Sequence, residues 1–168
     1  MHHGYWIYGN LFRIINMSDS IKIVDTRQYV QTLRELTEQG QEVSMMVAGG
    51  SMSPFLVHQR DVICFQKPAE RPGRGDMVFY QRKNGQFVMH RIWRAAKEGY
   101  YLVGDAQTCI EGPIEEAQIF AQVTKVRRKG KWIGPEDFWW KFFKIIWIRM
   151  VPQRPAALKV YSFLKRSR

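Results

Sequence analysis

Two residues in this sequence could together turn a hydroxyl into a nucleophile. Ser51 lies in the run Gly49-Gly50-Ser51-Met52-Ser53-Pro54-Phe55-Leu56, just after a strand-like segment, and His90 lies inside another such segment. A serine hydroxyl attacks a carbonyl near neutral pH only when a base takes its proton. Histidine, with an ordinary pKa of about 6.5, suits that task, whereas a lysine would first need its pKa depressed by several units. His2 and His3 stand at a chain end and His58 in a polar stretch, which leaves His90 as the candidate base. The two glycines before Ser51 permit torsions closed to other residues and let another chain come close. Pro54 suits the first turn of a helix with Ser53 as its cap, so amides near Ser51 would face an anion. The Ser51 amide is the expected oxyanion donor, with Gly49, Gly50 and Met52 as backbone support. Each motif also has a plain reading: a glycine turn capped by serine, and a structural histidine in a strand.

The elements that must position these groups follow from periodicity. Asp25 or Thr26 can cap a helix to about Gln39, since Tyr29, Val30, Leu33 and Leu36 recur at helical spacing and Gly40 supplies the stop. Beyond it, Val43 to Val47, Asp61 to Phe65, Met77 to Tyr80, Gln86 to Trp93, Tyr100 to Val103 and Ile119 to Val126 are short and rich in β-branched and aromatic residues, with turn formers between them. Asn84-Gly85 predicts a two-residue hairpin, with Phe79 across from His90 and with Val88, His90 and Ile92 on one face. A loop at Ala95 to Glu98 would then set Tyr101 opposite Ile92 and make Asp105 a diagonal, same-face neighbour of His90, about 7–8 Å away. A slip of one residue in that loop would place the two on opposite faces.

The ordered series Gly50-Ser51-Met52-Ser53-Pro54-Phe55-Leu56, Arg60-Asp61-Val62, Gly75-Asp76-Met77-Val78, His90-Arg91-Ile92 and Gly104-Asp105 resembles the boxes of type I signal peptidases and the wider LexA-like serine peptidase superfamily. The likeness spans about residues 43–128. It implies a mainly β, twisted, barrel-like catalytic core and a serine that attacks a peptide carbonyl. The His-Arg-Ile segment is similar to the branch in which histidine replaces the usual lysine base. By that resemblance Ser51 is the nucleophile, His90 the general base and Asp105 the orienting carboxylate. Gly49 stands where bacterial members often carry a hydroxyl, and Arg60-Asp61 replaces a Gly-Asp pair. Asp61 and Asp76, each before a strand, read as turn formers, and Arg91, facing away from His90, as a salt-bridge residue.

Composition bounds the rest. With 168 residues, 45% hydrophobic and 24% charged, the chain suits one folded domain. The expected organisation is an N-terminal extension and helix (1–40), a β catalytic domain (41–130) and a basic, aromatic helical tail (131–168). Cys64 and Cys109 have no metal-binding spacing, Cys64 reads as a core thiol, and nothing points to a metal or cofactor. Tyr5 to Ile15 is apolar but short and contains Arg13, which argues against a signal peptide or anchor. Asn16 to Ser20 looks like an ordinary protein start, so residues 1–16 read as an upstream extension.

Residues 1–124 are neutral, so the net charge of +11 lies wholly in 125–168, where 13 basic residues face only Glu136 and Asp137. Phe138 to Val151 is nearly continuous apolar and aromatic material, too short to span a bilayer and punctuated by Lys141, Lys144 and Arg149. It suits an anionic membrane surface, or a helix packed on the chain's own core, better than nucleic acid. The leading expectation is thus a peripherally membrane-associated, otherwise cytoplasmic, serine endopeptidase acting on a leader or signal-like peptide or preprotein. The alternative is a non-catalytic relative that binds a membrane or peptide partner. A self-cleaving regulator would need an upstream helix-turn-helix, for which the single helix before Ser51 leaves no room.

Overall fold

The computed structural model describes the backbone of residues 5–8, 11–15 and 21–159, and the side chains of residues 28–159. Residues 1–4, 9, 10 and 16–20, which include the whole Asn16 to Ser20 start, and 160–168 of the expected tail lie outside the described residues.

The chain is mainly β, as its alternating apolar segments require. β1 (Tyr5–Tyr8), β2 (Leu11–Ile15) and β3 (Ile21–Asp25) form a small antiparallel sheet. Helix α1 (Thr26–Glu38) follows, burying Tyr29, Val30 and Leu33. It ends where Gly40 adopts a φ of +81°, with Gly40 N–H donating to the Thr37 carbonyl and Gln41 N–H to that of Leu36. These two bonds satisfy carbonyls that the last turn would leave unpaired.

The larger sheet contains β4 (Val43–Met46), β5 (Val62–Gln66), β6 (Met77–Gln81), β7 (Phe87–Ala96), β8 (Gly99–Val103), β9 (Glu111–Ile114), β10 (Ile119–Arg128) and β11 (Lys131–Ile133). Its antiparallel order is β4-β5-β10-β6-β7-β8-β9, with β11 paired to β10. Two apolar layers lie on opposite faces of its middle strands. One contains Met77, Phe79, Phe120 and residues of α1, and the other Val78, Tyr80, Ile92, Tyr100 and Leu102.

Both hairpins that carry the candidate site differ by one residue from expectation. The β6–β7 loop has three residues, Lys83 to Gly85, because Arg82 pairs with Gln86 and Gly85 takes a φ of +82°. An Asn-Gly pair supports this bulged turn as well as the two-residue one. Val78 therefore faces His90, and Phe79 faces Met89. The β7–β8 turn is the two-residue Lys97-Glu98, with a bulge between Ile92 and Arg94. Ile92 therefore faces Leu102, and not Tyr101.

The C-terminal segment packs on this sheet. Helix α2 (Phe138–Lys141) runs into wider and tighter helical turns through Arg149, burying Trp140, Phe143, Trp147 and Ile148. Phe55 meets the Trp140 ring edge-on at 6.1 Å and the Phe143 ring at 4.8 Å. No helix among the described residues is long and apolar enough to cross a membrane. Arg154, fully buried, donates from Nη1 to the carbonyls of Gly104 (2.7 Å) and Gln107 (2.8 Å), and from Nη2 to that of Trp147 (3.3 Å). Because Arg154→Ala would orphan buried carbonyls and open a cavity, it should lower unfolding stability by about 2–4 kcal/mol, as measured by chemical denaturation.

Candidate active site

The Ser51 turn connects β4 to β5. Residues 51–55 form successive turns and not the expected helix start, with Ser53 N–H donating to the Gly50 carbonyl and Leu56 N–H to that of Met52. Gly49 holds a φ of +84°, which only glycine adopts without strain. Its N–H donates to His58 Nδ1 at 3.0 Å, so His58, set aside on sequence grounds, pins the turn, and the Gly49 amide is taken. No described residue accepts a hydrogen bond from the amides of Ser51 or Met52. Met52 buries its side chain beneath them, beside Phe55 and Leu56.

The turn rests on the chain that leaves β8. Ala106 N–H donates to the Ser51 carbonyl at 2.8 Å. A side chain on Gly104 would set its first carbon 3.1 Å from Ser51 Cβ and 2.6 Å from the Ser51 carbonyl oxygen. The bare position is what lets the two segments touch. Ile92 faces Leu102 and Arg91 faces Val103, where the pairing ends, so Gly104 and His90 are the next residues beyond it on the two chains. Ser51 thus packs on the residue that continues this register toward His90. The Ser51 hydroxyl and the His90 ring make no direct hydrogen bond.

Asp105 does not orient His90. One residue of register moves it to the opposite face, where Arg91 grips both oxygens, Nε to Oδ1 at 3.1 Å and Nη2 to Oδ2 at 2.9 Å. All three charged partners of this region, Arg91, Asp105 and Arg154, are buried. Arg91 also donates to the Gly75 carbonyl at 2.8 Å. Asp61 and Asp76 accept turn amides, from Val57 and Gly73 respectively, in keeping with their reading as turn formers.

The partners of His90 come instead from β6 and β9. Tyr80 is its diagonal neighbour across the β6–β7 pair, and the Tyr80 hydroxyl lies 3.1 Å from His90 Nδ1. The same hydroxyl donates to Glu111 Oε2 at 2.7 Å, and Arg82 binds that carboxylate at 2.6 and 2.5 Å. Tyr80 escaped the sequence reading because the expected register set Phe79 across from His90 and so turned Tyr80 to the other face. Glu111 was not legible, because it lies on a strand hidden in Glu111-Gly112-Pro113-Ile114.

Burial sets the electrostatics. His90 is only 4% exposed, and desolvation pulls its pKa down to about 4 against the opposing field of Glu111. The Arg82 guanidinium holds the Glu111 carboxyl below its ordinary range. Desolvation, followed by the bond to Glu111, pushes the Tyr80 phenol up. Near neutral pH the cluster is therefore a carboxylate, a neutral phenol and a neutral imidazole. Among the described residues no cluster of side chains could hold a metal ion. The chain matches no protein-family model, no curated protein and no solved structure.

The neutral imidazole has a measurable cost in acid. The unfolded chain takes up a proton at His90 below about pH 6.5, while the folded chain resists until about pH 4. Stability should therefore fall as pH drops across that window, by up to about 3 kcal/mol from this group. Denaturant midpoints taken between pH 7 and 4.5 should show the loss in the parent chain and a flatter profile in His90→Asn. Equal slopes would assign the acid sensitivity to other groups.

Proposed function

We propose that this chain is a signal-peptidase-like serine endopeptidase that cleaves a leader or signal-like peptide, with Ser51 as nucleophile and His90 as general base. The observation that carries the reading is the seat of Ser51 on side-chain-free Gly104, at the register position beside a buried, neutral imidazole. The order of the motifs along the fold supports it. The Ser51 turn follows β4, Asp61 precedes β5, Gly75-Asp76 precedes β6, His90 is central in β7 and Gly104-Asp105 follows β8. A twisted, barrel-like peptidase core is the finer architecture proposed for this sheet.

An extended peptide would pair with β4, an outer strand that runs directly into the Ser51 turn. Ser51 Oγ attacks the scissile carbonyl carbon while its proton passes to the His90 nitrogen that Tyr80 does not engage. The amides of Ser51 and Met52 receive the developing oxyanion. His90 then returns the proton to the leaving amine as the carbon–nitrogen bond breaks, and water hydrolyses the ester by the same base. Ser51→Ala and His90→Ala should each reduce peptide cleavage by about 10⁴-fold or more while keeping the parent circular dichroism spectrum. A serine-reactive fluorophosphonate should phosphonylate Ser51 in the parent chain, with loss of fluoride, and so add mass there. Inert Ser51 together with retained peptide binding would identify the non-catalytic module instead.

An anionic membrane surface is the proposed place of work. The segment that buries Trp140, Phe143 and Trp147 turns Phe138 (70% exposed), Trp139 (51% exposed), Ile145 and Ile146 outward. Soluble surfaces rarely expose so many large apolar side chains together, and this band lies within the stretch that holds the whole basic excess. Tryptophan fluorescence should report binding to phosphatidylserine-containing vesicles that weakens with salt. The variant Phe138→Ser/Trp139→Ser/Ile146→Ser should lose at least about tenfold in affinity, whereas unchanged binding would remove this surface from the account.

A further inference from the structure

We infer that Tyr80 and Glu111 fix which ring nitrogen of His90 carries the proton, and so act as positioning residues that leave Nε2 free as the base. The inference rests on the endopeptidase reading for its consequence, and on hydrogen-bond geometry for its content.

The Tyr80 hydroxyl has one proton and two neighbours, Glu111 Oε2 at 2.7 Å and His90 Nδ1 at 3.1 Å. Arg82 engages both oxygens of Glu111 and keeps that carboxyl ionised, so it can only accept. The hydroxyl proton therefore belongs to Glu111. Toward His90 the phenol oxygen presents lone pairs alone, and a hydrogen bond there requires a proton on Nδ1. A neutral imidazole holds a single ring proton, so Nε2 keeps its lone pair. No described residue hydrogen-bonds Nε2. The opposite arrangement, with Tyr80 donating to Nδ1, would place the proton on Nε2 and block transfer from serine. In effect a phenol stands between carboxylate and imidazole, where other serine hydrolases place the carboxylate in direct contact.

The logic predicts an unequal pair of variants. In Glu111→Leu, the phenol loses its acceptor and turns its proton to His90 Nδ1, forcing the wrong tautomer. In Tyr80→Phe, Nδ1 loses its partner and both tautomers become populated. The more distant Glu111 should therefore matter more than Tyr80, the reverse of an ordering by proximity to His90.

The test combines nitrogen-15 NMR of the histidine rings at pH 7 with peptide-cleavage kinetics, using the full chain. The parent should show His90 protonated at Nδ1, Glu111→Leu protonated at Nε2, and Tyr80→Phe a mixture. For Glu111→Leu, kcat should fall by about 10²–10⁴-fold with little change in KM, and for Tyr80→Phe by less. A parent His90 protonated at Nε2, or a Glu111→Leu variant whose tautomer or kcat stays at the parent value, overturns the inference. If Glu111→Leu fails to fold, the parent tautomer and the Tyr80→Phe mixture decide the matter alone. A parent chain with the expected tautomer but no fluorophosphonate mass at Ser51 would uphold the hydrogen-bond assignment and refute the endopeptidase reading.

Discussion

The buried ion pair between Arg91 and Asp105 holds the architecture of the site together. Its side-chain bonds tie the segment after β8 to the middle of β7. The flanking residues of that segment then meet the Ser51 turn, Gly104 by contact and Ala106 by its amide. From the other side, Trp147 Nε1 donates to the Asp105 carbonyl at 2.9 Å, and Arg154 to those of Gly104 and Gln107. A buried pair of this kind adds little net stability over an apolar substitute, but losing one partner strands the other charge out of water. Its value here is geometric, since it gives the Ser51 turn a fixed floor.

This arrangement separates two carboxylates, of which the sequence singles out only Asp105. Asp105, on the Arg91 face, is structural. Glu111, on the His90 face, meets the imidazole through the Tyr80 phenol. The division follows from strand alternation, in which adjacent residues of β7 address opposite layers. The aromatic C-terminal segment joins the same structure, because its inner rings pack on Phe55 of the Ser51 turn while its outer ones face solvent. Any surface that binds the outer band would thus be coupled rigidly to the turn that carries Ser51.

Much of this was legible in the residues. Helix α1 and six strands follow from periodicity and turn formers, with boundaries displaced by three residues or fewer. What failed was register. Asn84-Gly85 announces a hairpin, yet Gly85 at positive φ closes a three-residue loop, and Phe79 moves away from the position facing His90. The bulge after Ile92 and the tight Lys97-Glu98 turn moved Asp105 to Arg91 in the same way. β9 escaped because Gly112 and Pro113 look like a loop, and with it went Glu111. Phe138 to Val151 was ambiguous because it is apolar on two faces, one buried and one exposed, and composition does not reveal which face is which.

The central claim is that a buried imidazole takes the proton of Ser51, and the pH dependence of Ser51 phosphonylation by a fluorophosphonate tests it most directly. The account predicts a rate that rises with an inflection near pH 4, stays level toward neutrality, and collapses in His90→Ala. Phosphonylation of Ser51 at the same rate without His90, or no phosphonylation of the parent chain at any pH, would contradict it.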